Sequence, residues 1–288
     1  MVSEESNGQA VPVARRRSVF RQVQNALDEG VFTFASGYEA AHLSLPCEPP
    51  DSGDFHATVP LEDGSVGVVI GDVHGPEAGT HATVLCQAVV GCLQEGLAPE
   101  EALGFVNAAA EMDERFSGFA TVFAGKVEPQ GILHYASGGH EPALIATPSE
   151  TAQAENVSPA DMRELPSTGP PLGAFGADEV QYRGNTATLP EGATLLLYTD
   201  GVLEARRPRD RQAFGFERWQ QLFARLCARP SASSPRTNPL RSLLRQLLGR
   251  VFTFVGTPQE RHDDIALLAL RRKKRDSAQE EGRKTVSA

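Results

Sequence analysis

The sequence predicts a domain of mixed helix and strand, of class α/β (α+β), whose strands are buried on both faces. Three observations predict this. Short apolar runs at residues 66–70, 193–198 and 265–270 are strand-length and carry no polar alternation. Helix-length segments lie between them, at 82–93 and 99–112. The chain has 288 residues, 40% of them hydrophobic, which suffices for a substantial core.

Taken in order, residues 1–14 are polar and are expected to be disordered, after which Arg15, Arg16 and Arg17 lead into an amphipathic helix at 19–27. That helix is a candidate homodimer contact. The run Val66 to Ile70 ends in Gly71-Asp72, a buried strand that delivers an acid. Residues 82–93 are apolar nearly all round and read as a buried helix. Pro99-Glu100-Glu101 opens another helix, with proline in the first turn and acids at the positive end of the dipole. Residues 119–127 and 132–146 read as two strands joined by Pro129-Gln130-Gly131, and 149–168 as a flexible surface loop. A strand at 193–198 ends in Asp200, helices follow at 214–227 and 240–252, and Asp263-Asp264 opens the last strand. The charged stretch beyond 271 has no periodicity. The organisation expected is therefore an N-terminal segment 1–30, a domain 31–271 and a tail 272–288.

A formal charge of −10 argues against general affinity for nucleic acid or anionic membrane, both of which demand a cationic surface. Cys47, Cys86, Cys92 and Cys227 are scattered, with no metal or disulfide spacing. No apolar stretch approaches a membrane span, and the N-terminus lacks a signal-peptide core. A cytoplasmic location is the expectation.

The chemistry lies in acids joined to apolar strands: Asp72 after Ile70-Gly71, Asp200 after Tyr198-Thr199, and Asp263-Asp264 before Ile265, with Asp54 in Ser52-Gly53-Asp54-Phe55 as a fourth. Carboxylates near a core need a counter-ion, and convergence on cations supplies one. All-oxygen ligation suits Mg2+ or Mn2+, and two such ions can hold a hydroxide for in-line attack on phosphorus.

Eight short motifs occur in an order that resembles one family. They include Ser52-Gly53-Asp54-Phe55, Val69-Ile70-Gly71-Asp72-Val73-His74-Gly75, Phe119-Ala120-Thr121-Val122-Phe123 and Ser137-Gly138-Gly139-His140-Glu141-Pro142. Pro171-Leu172-Gly173, Tyr198-Thr199-Asp200-Gly201-Val202, Phe214-Gly215 and Asp263-Asp264-Ile265 complete the series. The chain resembles PPM-type (protein phosphatase 2C-like) serine/threonine phosphatases of the bacterial SpoIIE/RsbU branch, from about residue 31 to 271. The resemblance implies a four-layer α-β-β-α sandwich of two antiparallel sheets flanked by helices. It implies two Mn2+ or Mg2+ ions on Asp54, Asp72, the Val73 carbonyl, Asp200 and Asp263. It also implies a phosphorylated protein substrate, with a STAS-type anti-sigma-factor antagonist as the candidate.

Departures from the family pattern are Ala57, Pro76-Glu77-Ala78-Gly79 in the turn after Gly75, and Ala266 where a threonine is usual. His74 sits where related eukaryotic-type enzymes carry a histidine thought to protonate the leaving oxygen, a role that suits an imidazole near neutral pH. Two rival readings are a catalytically silent phosphatase-like binding module and a calcineurin-like metallophosphoesterase. The latter could claim Asp54-Phe55-His56, Gly71-Asp72-Val73-His74-Gly75 and Gly138-Gly139-His140-Glu141. It also needs later histidines, whereas His262 is the only one after His140.

Overall fold

The computed structural model describes residues 28–47, 52–148, 162–228, 238–256 and 263–274. The expected 19–27 helix, residues 149–161 of the expected 149–168 loop, His262 and the tail beyond 274 lie outside them. In chain order the strands are β1 (Asp28–Thr33), β2 (Tyr38–Leu45), β3 (Asp54–Pro60), β4 (Val66–His74), β5 (Phe119–Val127) and β6 (Ile132–Gly138). Then come β7 (Ala143–Ala146), β8 (Met162–Leu165), β9 (Asn185–Thr188), β10 (Thr194–Tyr198) and β11 (Ile265–Arg272). The helices are α1 (Ala78–Gln94), α2 (Pro99–Met112), α3 (Gly201–Glu204), α4 (Phe216–Ala228) and α5 (Pro239–Val255).

Two sheets form, in the orders β1-β2-β11-β10-β7-β8 and β3-β4-β5-β6-β9. Every ladder between named strands is antiparallel. Between the sheets lies one core, from Tyr38, Ile70, Phe123, Leu197 and Leu268 among others. A second core packs α4 and α5 on the outer face of the six-stranded sheet, and a third packs α1 and α2 on the five-stranded one. The expected α-β-β-α layering results. Because side chains alternate along a strand, β11 sends Ala266, Leu268 and Leu270 between the sheets and Ile265, Leu267 and Ala269 towards the helices. Both faces are dry, which is why the strand sequences show no polar alternation.

Helix ends follow local signals. Pro99 stands in the first turn of α2, and Glu101 accepts a hydrogen bond from the Ala98 amide at 2.9 Å. The Asn238 side chain accepts from the amides of Leu240 and Arg241 at the start of α5. None of the described helices is long and apolar enough to cross a membrane.

Three expectations need correction. Helix α1 is not buried all round: His81, Ala82, Leu85, Val89, Cys92 and Leu93 face the core while Val84 is exposed, because only one side meets the sheet. The expected 132–146 strand is two strands in different sheets. Gly139, in the left-handed region at φ 64°, turns the chain, and the Pro142 ring supplies no ladder donor where β7 begins. Finally, 162–165 is strand rather than loop. It covers the edge of β7 with Leu165 buried, and Ser167 and Thr168 bond to Ser137.

Trp219 is fully buried, edge-on to Tyr198 at 5.2 Å and to Phe214 at 6.5 Å between ring centroids. Its indole N–H finds no partner among the described residues. The ring therefore acts through shape alone. Trp219→Ala is expected to cost about 3–5 kcal/mol in urea unfolding, whereas Trp219→Phe should cost under about 1.5 kcal/mol. Equal losses would mean the indole N–H has a role that the packing does not account for.

Candidate metal centre

The inter-sheet parity that buries Val66, Val68 and Ile70 continues to Asp72 and His74, so both point into the seam between the sheets where its apolar filling ends. Asp54 stands directly opposite Asp72 in the β3–β4 register. Two like charges opposed on neighbouring strands destabilise a sheet unless something offsets them. Gly53 sits against the pair: a Cβ there would lie 2.6 Å from the Val73 carbonyl oxygen and 2.9 Å from Asp72 Oδ1. Those two oxygens thus border one small space that only glycine leaves open.

The six-stranded sheet supplies the facing acids. Asp200 follows Thr199 at the end of β10 and holds the N-cap position of α3 without a side-chain capping bond, and Asp263 precedes β11. The Thr199 hydroxyl donates to Asp54 Oδ2 at 2.8 Å and accepts from the Ala266 amide at 2.9 Å, so one side chain joins the two sheets at the cluster. Ala266 itself faces the inter-sheet core. The hydroxyl beside the acids comes from Thr199 rather than from that position.

Asp264 has a different part, which the sequence reading missed. Its Oδ2 accepts from the Ser52 hydroxyl at 2.7 Å and the Gly53 amide at 3.0 Å, and its Oδ1 accepts from the Cys47 amide. It pins the chain entering β3 and thereby sets Asp54. The doublet Asp263-Asp264 was the available signal, since adjacent acids at a strand start point in opposite directions. Asp263 accepts from the Asp264 amide at 2.8 Å and remains on the cluster side.

Ligand atoms of Asp72, His74 and Asp200 lie within 4.8 Å of one another. His74 Nε2 is 2.7 Å from Asp72 Oδ2. Burial pushes the Asp72 carboxyl up to about 6; His74 opposes the rise, and Asp200 and Asp263 add to it. Asp54 is pushed well above the usual carboxylate range by burial and then by Asp72, and Asp200 and Asp263 are raised mainly by burial. Among the described residues, none of these four acids has a lysine or arginine ion-pair partner. An oxygen-rich, desolvated set short of positive charge fits hard divalent cations such as Mg2+ or Mn2+.

The other histidines stand apart. His140 is buried, bonded to Thr121 Oγ1 at 3.0 Å, and lowered to about 4 by burial, so it is a neutral packing group. The His56 ring lies tilted at 48° against that of His42, with ring centroids 4.4 Å apart. Neither joins the cluster, which removes the basis for a calcineurin-like site. His134 pairs with Glu128 at 2.9 Å, a partner the sequence did not suggest.

The model of the family "Stage II sporulation protein E (SpoIIE)" matches residues 62–273. Protein IcfG of Synechocystis sp. is 32% identical over 155 residues, covering 54% of this chain and 21% of that protein. Phosphoserine phosphatase RsbP of Bacillus subtilis is 24% identical over 160 residues, covering 53% of this chain and 37% of RsbP. The chain thus spans well under half the length of these curated relatives. A crystal structure of the RsbU and RsbW domains of a Mycobacterium tuberculosis protein aligns with TM-score 0.65 at 25% identity, covering 84% of this chain and 64% of that one.

The raised Asp72 carboxyl sets a pH-dependent stability. Below about pH 4 the group is protonated in both folded and unfolded chains and contributes nothing. As pH rises towards 6 the unfolded chain releases its proton first, so the metal-free fold loses stability, on the order of 3 kcal/mol once the folded group has also ionised. Without divalent cations at pH 7.5, Asp72→Asn is expected to melt about 5 °C above the unaltered protein, and Mn2+ to raise only the latter's Tm strongly. Identical melting of the two metal-free proteins would contradict a desolvated carboxylate.

Proposed function

Because the chain belongs to the SpoIIE family, in the SpoIIE/RsbU branch of PPM-type phosphatases, we propose that it hydrolyses phosphoserine or phosphothreonine on a partner protein, with two Mg2+ or Mn2+ ions as cofactors. The observation that supports this reading is the cluster of Asp72, His74 and Asp200, with Asp54 opposite Asp72 across the strand pair and Asp263 near enough to raise Asp72 and Asp200. No lysine or arginine is paired to these acids among the described residues. Asp54, Asp72, the Val73 carbonyl, Asp200 and Asp263 would hold the ions. When bound, such ions offset the charge of the phosphoryl oxygens and make water a competent nucleophile at neutral pH.

The protein's own residues orient and exclude. Thr199 fixes one oxygen of Asp54, and Asp264 fixes the backbone that carries it. Phe119, partly exposed, lays its ring against that of His74 at 4.8 Å, which orients the imidazole and shields one side of it. His74 is the one imidazole in the cluster of Asp72, His74 and Asp200. In this reading it would deliver a proton to the departing serine or threonine oxygen, a poor leaving group that needs one.

The substrate reading draws on RsbP, a phosphoserine phosphatase. A STAS-type anti-sigma-factor antagonist remains the candidate partner, and a homodimer through the 19–27 helix the candidate assembly. A cytoplasmic setting accords with such a partner.

Release of phosphate from a phosphoserine protein should require Mn2+ or Mg2+ and cease in EDTA. Asp200→Asn should lose about 10³-fold or more in kcat/KM, the several kcal/mol that a metal site supplies; near-normal turnover would overturn the assignment. His74→Ala should lower kcat on a phosphoserine peptide about 100-fold and scarcely touch an aryl phosphate, whose leaving oxygen needs no proton. An equal effect on both substrates would remove His74 from the acid role.

A further inference from the structure

The net charge of −10 conceals a strongly basic segment. Residues 205–256 hold eleven arginines, no lysine and only two acids, Asp210 and Glu217, a formal charge of +9 that leaves −19 for the rest of the chain. The segment's described residues, 205–228 and 238–256, include the hairpin closed by the Arg206–Ala213 bridge and the two helices α4 and α5 outside the six-stranded sheet. Arg206, Arg209, Arg211, Arg218, Arg225 and Arg250 are exposed.

The hairpin is tied to the catalytic end of the fold. The Phe214 amide donates to the Ala205 carbonyl at 2.8 Å and the Gly215 amide to the Leu203 carbonyl at 3.0 Å, so residues 205–215 are rooted on α3, whose cap is Asp200. Arg207 and Arg218 share one aromatic anchor, lying over the Phe254 ring at 5.0 and 5.5 Å from its centroid. Asp210 pairs with Arg207 at 2.6 Å and lies 3.6 Å from Arg209, but one acid against the four arginines of residues 205–215 leaves the hairpin at a formal +3. A helical turn and two extended residues place Arg206 within roughly 13 Å of Asp200.

We propose that the arginine hairpin and the adjoining face of α4 dock acidic residues that flank the phosphorylated serine or threonine of the substrate protein. The inference rests on the phosphatase reading and names its substrate class. An extended peptide advances about 3.3 Å per residue, so the preferred acids lie about four positions from the phosphorylated one. Exclusive use of arginine suits planar two-pronged contacts with carboxylates. The remaining −19 repels a long polyanion such as duplex nucleic acid or an anionic membrane, but tolerates a short acidic segment that touches only this layer.

The test uses the full chain and two equal-length phosphoserine peptides, one with Asp or Glu three to five positions from the phosphoserine and one with Gln there. Peptide binding is read by fluorescence anisotropy in EDTA, and kcat/KM with Mn2+. The unaltered protein should favour the acidic peptide about 10-fold, less so at high salt. Arg206→Glu with Arg209→Glu should abolish that preference by raising KM, while p-nitrophenyl phosphate turnover stays unchanged and reports an intact fold. Equal affinity for both peptides, or a preference that survives the double reversal, would overturn the proposal. So would tighter, reversal-sensitive binding of a DNA duplex or of phosphatidylglycerol vesicles. An acidic-peptide preference in binding without turnover of any phosphopeptide would sink the phosphatase reading and leave the docking surface standing.

Discussion

Four carboxylates, Asp72 buried and Asp54, Asp200 and Asp263 half-buried, at the mouth of a seam between two sheets are the constraint around which this fold is organised. Asp54 and Asp72 are cross-strand neighbours in one sheet, and Asp200 and Asp263 flank adjacent strands of the other. Each sheet supplies two of the four. The register of β3 against β4, the Thr199 bridge between the sheets and the Asp264 clamp on the chain entering β3 all bear on where these oxygens sit. Burial raises each acid's proton affinity, so the cluster opposes the fold that creates it until positive charge arrives. The three apolar cores carry that load, since each covers a sheet face that would otherwise be wet.

Much of this was legible in the residues because burial on both faces leaves an unbroken apolar run, and an acid at the end of such a run has few reasons to be there. Asp72, Asp200 and Asp263 announce themselves in that way. What escaped was everything decided across long sequence separations. Asp264 bonds to residues more than two hundred positions away, and Thr199 to one 145 positions away. No local pattern encodes such partners. The break between β6 and β7 escaped for a related reason: an apolar stretch looks alike whether it stays in one sheet or crosses to the other. Only Gly139, by its left-handed turn, hinted at the crossing. Strand β8 was missed because it is half exposed and short, and because it is held as an edge by β7 rather than by its own propensity.

Composition misled in one respect. An average of −10 describes neither the acidic seam nor the arginine layer, and the two have opposite uses. Negative potential gathered at the seam attracts cations, while positive potential on the hairpin attracts anions from solution. An anionic ligand would otherwise be repelled by a chain this acidic, and the docking proposed for the arginine hairpin would remove that obstacle without entering the cluster.

That separation also bears on why the arginines are not in the seam itself. A guanidinium ion-paired with Asp72 or Asp200 would satisfy the buried acids permanently, and a site already neutral has little affinity for a divalent cation. His74 is the compromise the structure adopts. Its Nε2 lies 2.7 Å from Asp72 Oδ2, and the contact opposes the rise that burial gives that carboxyl without the fixed charge of a guanidinium. A lysine or arginine at position 74 would hold a permanent positive charge against Asp72, whereas an apolar residue there would leave the carboxyl without that relief.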